Sequence, residues 1–474
     1  MRLTRLVRSA CAAVALSTLA AFGAGCAATR VPTWCAGAPA PAKRWTLVVP
    51  AGAAGGDAVR ALVARRRLEY AVEVVEYDPK AGTPETRLAG VRAALQRNEG
   101  GRHPSGPTEH VLLVGSPGVL SMGPWNFEGA GEPIATDWPL TSTAVPDGLT
   151  FARGAWEQEL AAAPLRTVGR IPLDDPADIE RAMAATLRAD DAAAAPAASA
   201  VMGTTVFGGG WPLAAARDDL RARGWDATVC GDRLSCDAPA GAFAPARARD
   251  PKLVVIVGGA APLMGRASDP DREPRAARGG GTIAMAFASD GLALGVGERP
   301  DPALAGATAI AGFTGGIEAA PLGPSMYAIS HLPVELADGV PLGLAVERVR
   351  HTYWASASED IGCVFPGVAQ AAARNTLAAI VVGDPALCAV KHPLPVAGSP
   401  ESRPAEDLPV VVAPTPAAGA NAADAANGGP GNAPAANPRP SWMFPLLLGL
   451  FAALVALLYA ATKRRAGTRR APRR

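Results

Sequence analysis

Thiol or imidazole chemistry in this 474-residue chain must come from five histidines and seven cysteines, and none of them lies between Pro251 and Ser330. A cysteine becomes a usable nucleophile when a nearby imidazole or other cation stabilises its thiolate, so that stretch cannot house such a pair. Beyond it come His331, His351 and Cys363. A relocated pair drawn from them is one reading, and histidines that only fill core or surface positions are the other. Ser289 beside Asp290 supplies a hydroxyl and a carboxylate but no evident general base, which leaves the serine a poor nucleophile. No CxxC or Cys/His spacing suggests a metal site, and neither metal nor cofactor is expected. Gly52-Ala53-Ala54-Gly55-Gly56 sits where a dinucleotide-binding turn would, with Glu76 at the end of the next strand. GxGxxG is absent, however, and strand-to-helix turns are often glycine-rich for steric reasons alone.

These residues need a scaffold, and the sequence alternates strand and helix signals from Trp45 onward. Strands are expected at Trp45–Val49, Ala71–Tyr77, His110–Gly115 and Leu165–Ile171, with helices from an Asp57 cap to Glu69, from Thr83-Pro84 to Gln96, and from Asp175-Pro176. His110–Gly115 is the continuous apolar run of a strand buried on both faces of a parallel sheet. The long connection from Ser116 to Pro164 has the length of a functional loop or lid. After Asp190-Asp191 the alternation resumes, with strands at Ala200–Phe207, Ala227–Cys230, Lys252–Val257, Thr282–Phe287, Ala307–Phe313 and Ala378–Val382. Helices are expected at Pro212–Arg223, Pro341–Trp354 and Pro366–Leu377. The pattern predicts an α/β fold with a mostly parallel sheet flanked by helices, in two subdomains over residues 45–190 and 199–390.

Several segments, in order, carry a resemblance: Ala71–Tyr77, HVLLVGSPGVLSMGPW at 110–125, ATDWPL at 135–140 and VGRIPLDDPADIERAMAATL at 168–187. VMGTTVFGGGWPLAAARDDLRARGWDATV at 201–229 and VVGDPAL at 381–387 continue the series. Together they resemble the gingipain-like cysteine peptidases, the C25 family, over roughly residues 45 to 390. The resemblance implies a caspase-like fold, with a Cys/His dyad in loops beyond the carboxyl ends of two adjacent strands. Here the histidine position matches Ala260 and the cysteine position Phe287, so the dyad is replaced. Asp137 and Trp138 match the family's loop aspartate and aromatic and become pocket candidates, with Ser289 and Asp290 beside the vacated nucleophile position. The loop Arg266–Arg278 mixes charge signs and reads as a solvated excursion.

The chain ends describe an anchored protein. Arg2, Arg5 and Arg8 precede an apolar run from Ala10 to Phe22, the layout of a signal peptide over residues 1–26. Gly23-Ala24-Gly25-Cys26 resembles a bacterial lipobox with Gly23 in place of the usual leucine. Residues 397–440 are rich in Pro, Ala, Asn and Gly and read as a flexible stalk. Met443–Ala461 is uncharged and, at about 1.5 Å per residue, spans a hydrocarbon core of about 30 Å as a transmembrane helix. The basic tail over residues 462–474 places itself in the cytoplasm and the body outside, in the periplasm or at the cell surface.

The signal holds three of the 45 basic residues and the tail seven, so residues 27–462 keep 35 against 43 acidic ones, about −8. That charge disfavours nucleic-acid binding. An extracytoplasmic location fits disulfides, which sequence proximity would pair as Cys26–Cys35, Cys230–Cys236 and Cys363–Cys388. The sequence therefore points to a membrane-anchored, catalytically inactive peptidase homologue. Its partners would be membrane lipid, through the C-terminal helix, and a protein or peptide ligand. An active cysteine endopeptidase with a displaced dyad is the alternative, and a nucleotide-binding enzyme a third reading.

Overall fold

The computed structural model describes residues 42, 44–97, 106–194, 198–204, 210–230, 251–257, 282–287, 307–314, 324–360, 366–391 and 410–412. Its first half begins with β1 (Arg44–Pro50), α1 (Asp57–Arg67), β2 (Ala71–Tyr77), α2 (Pro84–Gln96) and β3 (Glu109–Val114). The long connection follows, holding β4 (Asn126–Phe127), β5 (Thr150–Phe151) and α3 (Arg153–Ala161), and leads to β6 (Arg166–Ile171) and α4 (Pro176–Ala192). Local chemistry sets the helix starts. Thr83 accepts from the Thr86 amide at 3.3 Å and Pro84 stands in the first turn of α2, while Asp175 accepts from the amides of Ala177 and Asp178 at 2.9 and 3.2 Å. Asp57, the expected cap of α1, is instead its first helical residue, and Gly56 takes the cap position.

The second half comprises β7 (Ser199–Thr204), α5 (Gly210–Ala222), β8 (Asp226–Cys230), β9 (Leu253–Val257), β10 (Ile283–Phe287) and β11 (Ala309–Phe313). It continues through α6 (Pro324–Ala337), α7 (Leu342–Asp360), α8 (Pro366–Ala378) and β12 (Ala379–Val382), and β13 (Val410–Val412) comes last. Eleven strands form one sheet in the order β13-β2-β1-β3-β6-β12-β11-β10-β9-β7-β8. Every neighbouring pair is parallel except β11 with β12. The α/β class and the mostly parallel sheet are thus as expected. Two parallel sets run in opposite directions and meet at one antiparallel joint, and contacts group residues 1–417 as one compact unit.

On one face, α1 and α4 pack Val59, Leu62, Ile179 and Met183 against Leu47 and Leu112 of the first half. On the same side of the second half, α5, α6 and α7 bring Leu213, Leu332 and Val346 onto Met202, Val255 and Met285. The opposite face of the first half carries α2, α3, α8 and the long connection. That connection is not a bare loop: Phe127 and Phe151 stack at 5.0 Å, Trp138 meets Phe127 edge-on at 5.5 Å, and Trp156 reaches Trp354 of α7 at 5.2 Å. Aromatic pairs of this geometry add to the area they bury.

The turn after β12 crosses the joint between the halves. Residues 383–391 run back past Gly169 of β6 and Gly343 of α7, where a Cβ would meet the Gly383 carbonyl at 2.3 Å and Pro385 Cβ at 2.6 Å. They end at Lys391, whose amide donates to Ala193 beyond α4.

Three expectations need correction or lie out of view. The stalk assigned to residues 397–440 contains β13, because three consecutive β-branched residues find an open sheet edge. Cys388 carries a free thiol that donates to the Ala386 carbonyl, so it forms no disulfide with Cys363. Cys26, Cys35, Cys236 and Cys363 lie outside the described residues, and Cys230 is buried at the end of β8. Among the described residues no helix is long and apolar enough to cross a membrane. The signal peptide, Met443–Ala461 and the basic tail lie outside them.

Candidate functional site

In an open parallel sheet a crevice forms beyond the carboxyl ends of the strands. For the second half that edge is set by Thr204, Val257 and Phe287, with Val257 paired to both Thr204 and Phe287. The Phe287 and Phe313 rings lie 6.0 Å apart at the same edge. Phe287 is the last residue of β10, and its side chain shares a cluster with Val257, Met285 and Leu332. A phenyl ring packed into the core at this position supplies neither a nucleophile nor a base. Ala260, Ser289 and Asp290 lie outside the described residues.

Asp137 and Trp138 belong to the long connection, which reaches the joint from the other half. The Ala135 carbonyl accepts from the Thr314 hydroxyl just beyond β11. Asp137 itself turns toward β6, where both its oxygens accept from Arg170, one from Nε at 2.9 Å and one from Nη2 at 2.5 Å. Arg170 is fully buried and donates further to the carbonyls of Gly115, Leu120 and Ser121. Such a forked pair holds the connection onto the sheet and engages both carboxylate oxygens. Trp138 is 2% exposed and sits among Phe127, Phe151 and Leu140.

A second cluster of buried charge, Arg66, Asp190 and Asp384, surrounds the turn after β12. Asp384 accepts from Trp45 Nε1 at 3.1 Å, from the Ala386 amide at 2.9 Å, and from Arg66 at 2.9 and 2.7 Å. Arg66 also donates to Asp190 at 2.9 Å, and Asp190 takes Arg65 and Lys391 at 2.8 and 2.9 Å. Burial opposes ionisation of Asp190, but Arg66, Lys391 and Arg65 outweigh it and hold the carboxyl down at about 2. Next to this network, burial pushes the His110 imidazole down to about 4 and the Cys388 thiol up to about 12. His110 Nδ1 lies 2.6 Å from the Thr167 hydroxyl, and its ring meets Tyr70 edge-on at 5.5 Å. A neutral thiol and a neutral imidazole in this setting are structural groups and not an activated pair.

The two histidines proposed for a relocated dyad sit apart from this network. His331 is exposed on α6, with Nδ1 2.9 Å from the Ser330 hydroxyl. His351 is buried on α7 with Nε2 3.5 Å from Glu347, one turn earlier. Cys363 lies outside the described residues. Among the described residues no group of three or more His, Cys, Asp or Glu side chains could hold a metal ion.

The glycine turn before α1 has its own occupant. Glu180 of α4 accepts from the Ala58 amide at 2.7 Å, and a Cβ on Gly56 would overlap its other oxygen at 1.6 Å. A carboxylate seated on the helix N-terminus takes the place a dinucleotide phosphate would need and repels it. This argues against the nucleotide-binding reading. Glu180, Arg66 and Asp384 escape a reading of the sequence because their partners lie far away in the chain. Arg170 was more visible, as a charge inside the apolar strand VGRI.

No protein-family model and no curated protein matches this sequence. A solved structure described as "Structure of Protease" superposes with a TM-score of 0.51 at 14% identity, covering 73% of this chain and 78% of that one. The chain therefore has an α/β fold similar to that of a protease structure.

Proposed function

We propose that this chain is a gingipain-like peptidase homologue that has lost thiol catalysis and acts by binding a protein or peptide. One observation carries the reading: β9 and β10 are adjacent and in register, Val257 opposite Phe287, yet no His or Cys occurs from Pro251 to Ser330. The strands that present base and nucleophile in the family are retained, and the residues that would react are not. In this reading a protein with that edge would bind an extended chain across it while lacking the imidazole that would make a thiolate. Its place would be the outer side of a membrane, tethered through Met443–Ala461, with the arginine-rich tail on the cytoplasmic side.

The His351–Glu347 pair supports the competing reading, an active enzyme with a displaced dyad, since a carboxylate beside an imidazole can orient a general base. Purified full-length chain incubated with unfolded casein separates the two. We expect casein cleavage no faster than in buffer, with or without iodoacetamide. Cleavage that iodoacetamide abolishes, and that Cys363→Ser and His351→Ala each lower by 100-fold or more, would establish the enzyme instead.

A further inference from the structure

We draw no further inference here: the strongest candidate, the crevice beyond the carboxyl ends of β1 and β3, where Gly52 and Gly55 border open space and Asp174 accepts from the Ser116 amide and hydroxyl at 2.7 and 2.6 Å, offers only exposed carboxylates and the N-terminus of α1 that Glu180 already occupies, and nothing else among the described residues points to a ligand there.

Discussion

His110 shows how one buried side chain ties the fold to pH. It is 2% exposed, and its imidazole is lowered by burial to about 4, helped by the Arg66 charge and opposed by Asp384. The unfolded chain takes up that proton near pH 6.5, whereas the folded chain resists until about pH 4. Stability from this group is therefore complete above pH 6.5 and falls as the pH drops from 6.5 to 4, by roughly 3 kcal/mol in all. Asp190, held at about 2, keeps its ion pairs across that window. His110→Gln removes the titration while leaving an amide to meet the Thr167 hydroxyl. Urea midpoints at pH 7.5 and 4.5 should therefore lie closer together in the variant than in the native chain, and an equal drop in both would rule out His110 as the source. None of this was legible in the sequence. His110 opens an apolar run, and only the fold brings Tyr70, Thr167 and Asp384 around it.

At the scale of elements, the strands were legible and the crossings between them were not. Apolar runs such as HVLLVG and KLVVIV admit few alternatives, and the observed β3 and β9 differ from the expected strands by only a residue or so. Helices α6 and α3 were not among the expected helices: α6 carries Pro333 in its interior, and α3 lies inside the long connection. The tightest crossing lies where the turn after β12 passes over β6, and there Gly169 is decisive. A methyl group at that position would sit 2.3 Å from the Gly383 carbonyl and 2.8 Å from Pro385, and backbone cannot swing aside as a flexible side chain can. Gly169→Ala should therefore cost about 3 kcal/mol or more, beyond the usual range for overpacking, because β6 and the turn must part. Gly55→Ala, with nothing within 4 Å of its added methyl, is the matched control and should unfold at nearly the native urea concentration. Equal midpoints for the two variants would show that the crossing is looser than its geometry implies.

For the whole molecule, the sequence suggested two subdomains, and the structure joins them through one sheet and one crossing segment. The crossing segment belongs to the second half by sequence, yet its charges complete the first. Asp384 neutralises Arg66 and receives Trp45, while Lys391 binds Glu69 and Asp190. A chain ending at residue 194 would keep α1, α4 and β1 but leave the fully buried Arg66 with Asp190 as its remaining strong partner and Trp45 Nε1 without an acceptor. Removing one partner of a buried ion pair typically costs about 3–5 kcal/mol, comparable to a large share of a small domain's stability. The outer edge of β6 would also be exposed where β12 had paired. Residues 27–194 expressed alone should thus give a broad, weakly cooperative urea transition and bind a dye for exposed apolar surface. Supplying residues 198–417 as a separate chain should restore a single sharp transition and allow the two pieces to purify together. If the isolated piece unfolds as sharply and at the same urea concentration as the intact chain, the halves are independent domains and the crossing segment is only a passenger.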